Sequence, residues 1–437
     1  MSFGMPVLAA RRRGGTPTPT PTPTAITPTY DPFQMPEGLT NGAVIVPVGT
    51  SGDWDDTGIR EIGNVIHDPS DTGKEYKLAY SGYGVAYVET DPDIFVGFAY
   101  SSDGVTWTKY SSVSPAISRE MEDPYLVKID GTYYLYAEDR ADVPFRNIRC
   151  YTSTDFSTWT DQGDVLDAGA GGTWESQDVS SPVVWKDADG WHMLYEGRNG
   201  PSAGSIGYAT SDDGLVWVKD LDNPIWTPDD VSWAGTVVPD DIMVRNDGLL
   251  VLTFHASIGP NGIAVGRDVY SFVDLLGTSI TGAGSDTIMR LAVTDQWLSV
   301  GSGGIRAYDA TTAANPAPTI SVAPVITSEN GFVGVGDTAT CDGGTHTGVV
   351  GILQWKRDGV AISGAIEDDY TFTEDDLGAD ITCTVTAITS GGETDSTSNT
   401  LGPIVTPAFT INNLVTDTGD NLVTDTGANL ISSERTA

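Results

Sequence analysis

Carboxylate and hydroxyl residues precede apolar strand patterns at similar intervals along the first part of the chain. They lie 55, 58 and 59 residues apart, at Asp68, Asp123, Ser181 and Asp240. If the strands that follow them surround one axis, these side chains meet in a single pocket. Two or more carboxyl groups in a pocket can cleave a glycosidic bond, because an ionised one serves as base or nucleophile while a protonated one donates to the leaving oxygen.

A repeated motif indicates the elements that would position these residues. It reads Ser-x-Asp, with tryptophan four residues after the aspartate, and it ends at Trp107, Trp159 and Trp217, 52 and 58 residues apart. An aromatic-rich strand and an apolar strand entered through proline precede each tryptophan, so each repeat predicts a four-stranded antiparallel meander. We expect the aspartates of the motif to be turn residues without a catalytic role: Asp103, Asp155 and Asp213.

Two weaker copies of the meander follow. The fourth covers residues 239–270, and the fifth, at 288–308, is too short for four strands. Residues 43–48 can supply the missing strand, since a ring closed by an N-terminal strand leaves no open sheet edge. The pattern therefore predicts an all-β chain with a five-bladed β-propeller over residues 31–315. An open β-sandwich is the alternative, but it does not explain the regular spacing.

The remainder of the chain has other patterns. In residues 316–406, Cys341, Trp355 and Cys383 are spaced as in immunoglobulin-like sandwiches, with the two cysteines either bridged or packed as thiols. Residues 407–437 contain a seven-residue sequence at 413–419 that recurs at 421–427, which predicts a tail of short β repeats.

The N-terminal 30 residues form a separate predicted segment. Three arginines, Arg11, Arg12 and Arg13, precede a Thr-Pro run typical of a stiff tether. The apolar residues before the arginines are too few to span a bilayer and have the reverse order of a signal peptide. The net charge of −38 argues against a nucleic-acid partner and against insertion into an anionic membrane. We expect an anchor peptide that binds another protein; the alternative is a disordered terminal tail.

Four sequence motifs carry a family resemblance over about residues 43–312: Glu122-Asp123-Pro124-Tyr125, residues 131–138, residues 181–185 and residues 191–198. They resemble the five-bladed propeller glycosidases, glycoside hydrolase family 43 and its relatives in families 32 and 68. The resemblance implies that Asp68 is the base and that Asp123 tunes the acid. The position of the family's acid falls on Ser180 or Ser181, so Glu175, slightly upstream, is the candidate replacement, with Glu196 a weaker one.

Other residues are expected to line the mouth of this pocket and to bind ligand. An arginine there can hold a sugar carboxylate or pair with a neighbouring acid, and a histidine can be a ligand or a core residue. We expect no cofactor; an acidic channel can hold Ca²⁺, but no loop has a specific ligand spacing. The candidate ligand-binding residues are Glu138, Arg140, Trp174, Arg198, Asp240 and His255.

Three functions fit these patterns. The favoured hypothesis is a bacteriophage virion appendage, a head or tail fibre or spike at the virion surface. Its N-terminus would attach to a capsid or tail protein, and its propeller, in a homo-oligomer, would bind a host-surface glycan, with or without cleaving it. The alternative is a secreted, extracellular glycoside hydrolase with Asp68 as base, Asp123 as modulator and Glu175 as acid. A decoration protein without a ligand is the third, since fold does not imply function.

Overall fold

Nearly all regular structure in the chain is β. The described part contains thirty-one strands and two short 3-10 helices, Pro228–Asp230 and Glu374–Asp376, which confirms the all-β prediction. None of the helices described is long and apolar enough to cross a membrane. The computed structural model describes residues 36–84, 93–141, 146–200, 204–245, 248–256, 260–280, 287–291, 294, 296–312, 316–328, 333–406, 415–416 and 422–423.

Five four-stranded antiparallel sheets occupy residues 36–312, and four of them are built from consecutive strands. The first contains β2 (Gly58–His67), β3 (Tyr76–Tyr83), β4 (Ile94–Ser101) and β5 (Thr108–Lys109). The second contains β6 (Met121–Ile129), β7 (Thr132–Asp139), β8 (Asn147–Ser153) and β9 (Thr160–Leu166). The third contains β10 (Asp178–Lys186), β11 (Trp191–Arg198), β12 (Ser205–Ser211) and β13 (Trp217–Lys219). The fourth contains β14 (Val238–Val244), β15 (Leu250–His255), β16 (Asn261–Gly266) and β17 (Val273–Asp274).

The N-terminal strand β1 (Pro36–Pro47) completes the fifth sheet. The other three strands are β18 (Ile288–Leu291), β19 (Gln296–Gly301) and β20 (Gly304–Thr312), and β1 pairs antiparallel with β20. The sequence predicted a closing strand at residues 43–48, and the observed strand starts seven residues earlier. Its pairing covers an edge that β20 would otherwise expose.

The first strands of the sheets form a closed ring. β2 contacts β6, β6 contacts β10, β10 contacts β14, β14 contacts β18, and β18 contacts β2 again. This is a propeller-like arrangement, in which the starts of the inner strands converge near one axis. Asn64 joins two of these strands, because its side-chain amide donates to the Leu126 carbonyl at 2.8 Å and accepts from the Leu126 N–H at 2.7 Å.

A β-bulge interrupts each of the first four inner strands at the same level of the ring. The register shifts occur between residues 62 and 65, 122 and 125, 180 and 183, and 239 and 241. Bulges redirect side chains, and the backbone of Asp123 and Ser181 here has positive φ values of 50° and 47°. The bulge therefore aligns four positions: Gly63, Asp123, Ser181 and Asp240.

This register corrects the predicted alignment of the first strand. Asp68 was expected to be the counterpart of Asp123, but it follows the end of β2, and Gly63 holds the counterpart position. The error arose because Asp68-Pro69 has the same dipeptide sequence as Asp123-Pro124. Five residues of strand place Asp68 roughly 15 Å farther along the ring axis.

The repeated Ser-x-Asp motifs form the expected turns. The Asp103 carboxylate accepts hydrogen bonds from the N–H groups of Val105 and Thr106, both at 2.8 Å, and these bonds lower its pKa to about 2. The Trp107 ring donates to the Gly104 carbonyl at 3.0 Å. The same bonds recur around Asp213, which confirms that these aspartates organise turns.

The later strands form smaller sheets, with orders β21-β24, β22-β23-β27, β26-β25-β28-β29 and β30-β31. Cys341, Trp355 and Cys383 pack in one apolar cluster, and both cysteines are buried free thiols. The immunoglobulin-like assignment and the domain boundaries remain predictions. The strands are β21 (Ile320–Val322), β22 (Ile326–Ser328), β23 (Thr338–Cys341), β24 (Thr345–His346), β25 (Val350–Arg357), β26 (Val360–Ala361), β27 (Asp369–Thr371), β28 (Ile381–Thr389), β29 (Gly392–Thr397), β30 (Val415–Thr416) and β31 (Leu422–Val423).

Contacts divide the chain into two compact units. The predicted anchor residues Arg11, Arg12 and Arg13 lie outside the described residues, as does most of the predicted repeat tail. The first unit comprises Met1–Ser321, His346–Ile352 and Thr386–Asp395. The second comprises Val322–Thr345, Leu353–Val385 and Ser396–Ala437.

The two hydrogen bonds of the Asn64 side chain predict that its removal destabilises the folded protein. Asn64→Ala leaves the buried N–H and carbonyl of Leu126 without partners and should lower the free energy of unfolding by about 2–4 kcal/mol. Denaturant unfolding followed by tryptophan fluorescence measures the change. Gln162→Ala, which removes an exposed hydrogen bond to Thr152, is the control and should change it by less than about 0.5 kcal/mol. Equal effects of the two variants would contradict a joining role for Asn64.

Candidate functional site

A small pocket lies where the bulged inner strands meet. It is partly open and has a volume of about 20 Å³, enough for roughly one water molecule. Four of the residues predicted from the sequence come together here: Asp123, Ser181, Asp240 and His255. The pocket is lined by Ile62, Gly63, Asp123, Pro124, Tyr125, Ser181, Pro182, Pro239, Asp240, His255 and Thr287.

Asp123 forms an acid pair with Glu61, a residue that the sequence patterns did not single out. The Asp123 N–H donates to Glu61 Oε2 at 3.4 Å, and the Ser181 hydroxyl donates to Asp123 Oδ2 at 2.7 Å. Burial and the charge of Asp123 raise the pKa of Glu61 well above its ordinary value. Burial also opposes ionisation of Asp123, but hydrogen bonds from Glu61 and Ser181 lower its pKa. The shifts have opposite directions, so Asp123 ionises more readily than Glu61, although Glu61 Oε1 also lies 3.2 Å from Arg60 Nε.

Asp240 and His255 form a second pair at the pocket. Asp240 Oδ1 lies 2.6 Å from His255 Nδ1, and Asp240 Oδ2 accepts from the Ile288 N–H at 3.2 Å. Burial raises the pKa of Asp240 to about 6, although His255 favours the charged form. The pair can therefore hold a proton that is exchanged near neutral pH.

The neighbouring Asp241 has no cationic partner among its hydrogen bonds. The Tyr125 hydroxyl donates to Asp241 Oδ1 at 2.7 Å, and the Ile242 N–H donates to the same oxygen at 3.0 Å. Burial raises the pKa of Asp241 to about 7. Asp241 is therefore largely protonated in the folded protein below neutral pH.

Glu138 and Arg140, both predicted to bind ligand, are used in an internal ion network. Arg140 is buried, and its Nη1 lies 2.9 Å from Glu138 Oε1 and 3.0 Å from Glu122 Oε2. Arg146 Nε lies 3.2 Å from Glu138 Oε1, and Arg60 also contacts Glu122. Paired and buried in this way, Arg140 is not presented to a ligand.

Arg198 also faces acids of its own sheet. Its Nη2 lies 3.4 Å from Asp178 Oδ2 and its Nε lies 3.6 Å from Glu196 Oε2. Glu196 accepts from the Ser180 hydroxyl at 2.8 Å, and burial raises its pKa. Glu196, the weaker candidate for the acid, is electrostatically coupled to Asp123 but does not line the pocket.

Glu175, the predicted acid, is bound by side chains of the third sheet. Lys219 donates to its Oε1 at 2.7 Å and Tyr195 donates to its Oε2 at 2.8 Å, while Trp174 stacks on Tyr195 at 6.0 Å. Glu175 does not line the pocket. The structure therefore does not bring Glu175 to Asp123, and Trp174 packs within the same arrangement.

The first sheet contains an equivalent of this arrangement. Asp55 accepts from Lys109 at 2.6 Å and from Tyr80 at 3.0 Å, and Trp54 stacks on Tyr80 at 5.6 Å. The signal was present in the sequence, because a lysine follows the motif tryptophan by two residues at Lys109 and again at Lys219. The recurrence indicates that Glu175 and Asp55 fix the loops before the inner strands.

Asp68 lies in a different cluster at the far end of β2. Lys128 lies 2.8 Å from its Oδ1, and Ser70 and Tyr133 also donate to it. Burial opposes ionisation, but the bonds from Lys128 and Ser70 hold its pKa below the usual range. Asp68 is therefore a paired structural carboxylate outside the pocket.

The position where Asp68 was expected cannot carry a side chain. A Cβ on Gly63 would lie 1.9 Å from the Pro124 carbonyl oxygen, far inside van der Waals contact. Ser181 holds the equivalent position in the third sheet. Of the three carboxyl positions implied by the family resemblance, only the one at Asp123 is filled by an acid.

No metal centre is evident in this region. Among the described residues, no group of three or more His, Cys, Asp or Glu side chains is placed to hold a metal ion.

The close packing at Gly63 predicts that adding a single methyl group there strongly destabilises the folded protein. Gly63→Ala should lower the free energy of unfolding by about 3 kcal/mol or more, because the Pro124 backbone cannot move without shifting β6. Gly235→Ala is the matched control, since a Cβ there meets nothing within 4 Å. Denaturant midpoints of the two variants give the comparison, and a Gly63→Ala protein as stable as Gly235→Ala would contradict the contact.

The raised pKa of Asp241 predicts a pH-dependent effect. The unfolded chain ionises Asp241 near pH 4 and the folded chain near pH 7, so wild-type stability falls between these values as the pH rises. Asp241→Asn removes this loss. Its free energy of unfolding relative to that of wild type should therefore rise by about 2 kcal/mol from pH 4.5 to pH 8, after allowance for partial exposure. Unfolding at both pH values measures it, with Gln162→Ala as the non-titrating control. A difference independent of pH would contradict the shift.

Part of the chain is similar to a known protein family. Residues 113–232 match the model of the glycosyl hydrolases family 43. No curated protein matches the chain.

Several solved structures have a similar fold. One is a family 117 glycoside hydrolase of the marine bacterium Zobellia galactanivorans, with 16% identity, a TM-score of 0.44, and coverage of 62% of this chain and 81% of that one. Another is a glycosyl hydrolase from Bacteroides ovatus, with 15% identity, a TM-score of 0.46, and coverage of 64% and 99%. A thermostable family-43 glycoside hydrolase shares 21% identity, with a TM-score of 0.35 over 58% and 75%. The segment that carries Asp123, Glu175 and Ser181 is thus a glycosyl hydrolase family 43 match within an all-β chain.

Proposed function

We propose that this protein acts on glycans as a glycoside hydrolase of the family 43 type, with its reaction centre at Asp123. One observation carries the proposal. A pocket of the ring, in part within the family 43 match, joins an ionised carboxylate, Asp123, to a second acid, Asp240, with a pKa of about 6. Glycosidic cleavage needs this difference in protonation. We also propose that the five sheets are the blades of one five-bladed propeller.

The proposed roles differ from those that the sequence motifs implied. Asp123 takes the role of base, because position 63 cannot carry a side chain and Asp68 is paired with Lys128. The Asp240–His255 pair supplies the proton to the leaving oxygen, since both residues line the pocket. Glu61 donates a hydrogen bond to Asp123 and favours its charged form. Such a hydrolase would work outside the cell, where its polysaccharide substrates are found.

A second candidate is glycan binding without cleavage. Two observations favour it: Gly63 leaves no room for a first carboxylate, and Ser181 stands at the third position. In this form the protein would be a virion appendage that holds a host-surface glycan as a homo-oligomer. Arg11, Arg12 and Arg13 would then attach it to a capsid or tail protein.

The roles predict the effect of neutralising the base. Asp123→Asn should lower kcat on plant and algal oligosaccharides at least about 100-fold, since the base is lost while the pocket keeps its shape. Asp68→Asn, outside the pocket, is the control and should retain kcat within about threefold. Wild-type kcat should fall as the pH rises through about 6, because Asp240 then loses its proton.

The outcomes separate the two candidates. No hydrolysis by wild type, together with glycan-array binding that Asp123→Asn weakens, would favour binding without cleavage. Hydrolysis that survives Asp123→Asn would move the reaction away from this pocket. Neither hydrolysis nor binding would contradict both candidates.

A further inference from the structure

The pocket contains a buried hydroxyl without a partner. Thr287 is 8% exposed, and within the described part of the chain its Oγ1 makes no hydrogen bond. A buried hydroxyl that has lost its water partners and gained none destabilises the folded protein. Thr287 is also one of the residues that line the pocket of Asp123 and Asp240. A hydrogen-bond partner of this hydroxyl would therefore lie in the pocket.

The size and lining of the pocket specify that partner. A volume of about 20 Å³ exceeds the space that one water needs and is too small for a sugar ring, so a sugar would lie across the open side of the pocket. A buried water makes two to four hydrogen bonds. The ionised Asp123 carboxylate is an acceptor for one of its protons, and the Thr287 hydroxyl is a donor to its oxygen.

We propose that this pocket holds one ordered water molecule and that Thr287 is its positioning residue. As far as it concerns catalysis, this inference rests on the function proposed above. The water oxygen attacks the anomeric carbon and forms the new C–O bond, while its proton passes to Asp123. The glycosidic C–O bond breaks, and the leaving oxygen takes the proton of the Asp240–His255 pair.

Thr287 is suited to this role because a threonine hydroxyl can donate without changing charge. By donating to the water oxygen, it leaves a water proton directed at the Asp123 carboxylate and one lone pair free for attack. Ser181 cannot take its place, since its hydroxyl proton is already donated to Asp123 at 2.7 Å. The backbone N–H of Ile288, the next residue, is likewise committed to Asp240.

A high-resolution crystal structure of the full chain, grown with EDTA, tests the water directly. We expect one density peak within hydrogen-bond distance of Thr287 Oγ1 and of an Asp123 or Asp240 carboxylate oxygen. The peak should persist in Thr287→Ser, which keeps the hydroxyl, and should be lost in Thr287→Val, which has nearly the same shape. An empty pocket, or a peak with metal-like distances near 2.3 Å, would overturn the inference.

Kinetics test the positioning role separately. Thr287→Val should lower kcat at least about tenfold with KM within about twofold, and Thr287→Ser should restore kcat to within about threefold. Unchanged kcat in Thr287→Val would overturn the role. If wild type cleaves no glycan, the proposed function fails, and the crystal structures of wild type, Thr287→Val and Thr287→Ser still decide whether Thr287 holds the water.

Discussion

The contact of β2 with β6 at Gly63 constrains the rest of the site. The Pro124 carbonyl fills the space where a side chain at position 63 would begin, and Asn64 then bonds to Leu126 as a further strand would. Backbone contact this close fixes the positions of the bulges in β2 and β6 relative to each other. The carboxyl groups of the pocket must therefore come from the other inner strands, and they do so at Asp123 and Asp240.

Buried charges are compensated in one way at the pocket and in another way beside it. Around Arg140, acids and arginines neutralise one another in buried pairs, which tolerate burial because each charge has a partner. At the pocket, burial raises the pKa values of Glu61 and Asp240, which lowers the total charge that the acids near Asp123 would otherwise carry. The first arrangement gives rigidity, and the second leaves protons available for chemistry.

The sequence predicted much of the fold, because its signals were local. The Ser-x-Asp turns, the repeated strands and the closing N-terminal strand all follow from turn chemistry, periodicity and the need to cover an edge. The convergence of Asp123, Asp240 and His255 followed from the same repeat. These parts required no knowledge of how one sheet packs on the next.

The parts that were missed depend on packing between strands. The dipeptide Asp68-Pro69 has the same sequence as Asp123-Pro124, and only the bulge register separates their positions. Glu175 was expected in the pocket because it lies a few residues upstream of Ser180 and Ser181, but its side chain is bound by Lys219, 44 residues away in sequence. Thr287 belongs to no motif, and its unpaired hydroxyl becomes visible only when the neighbouring atoms are known.

The closing strand has a mechanical consequence. β1 is joined to the ring through its antiparallel pairing with β20, at the outer edge of the fifth sheet. Tension applied to the chain before residue 36 reaches these hydrogen bonds before any other part of the ring. The β1–β20 ladder is therefore the element whose rupture force sets how much pull from the N-terminal side the five sheets withstand.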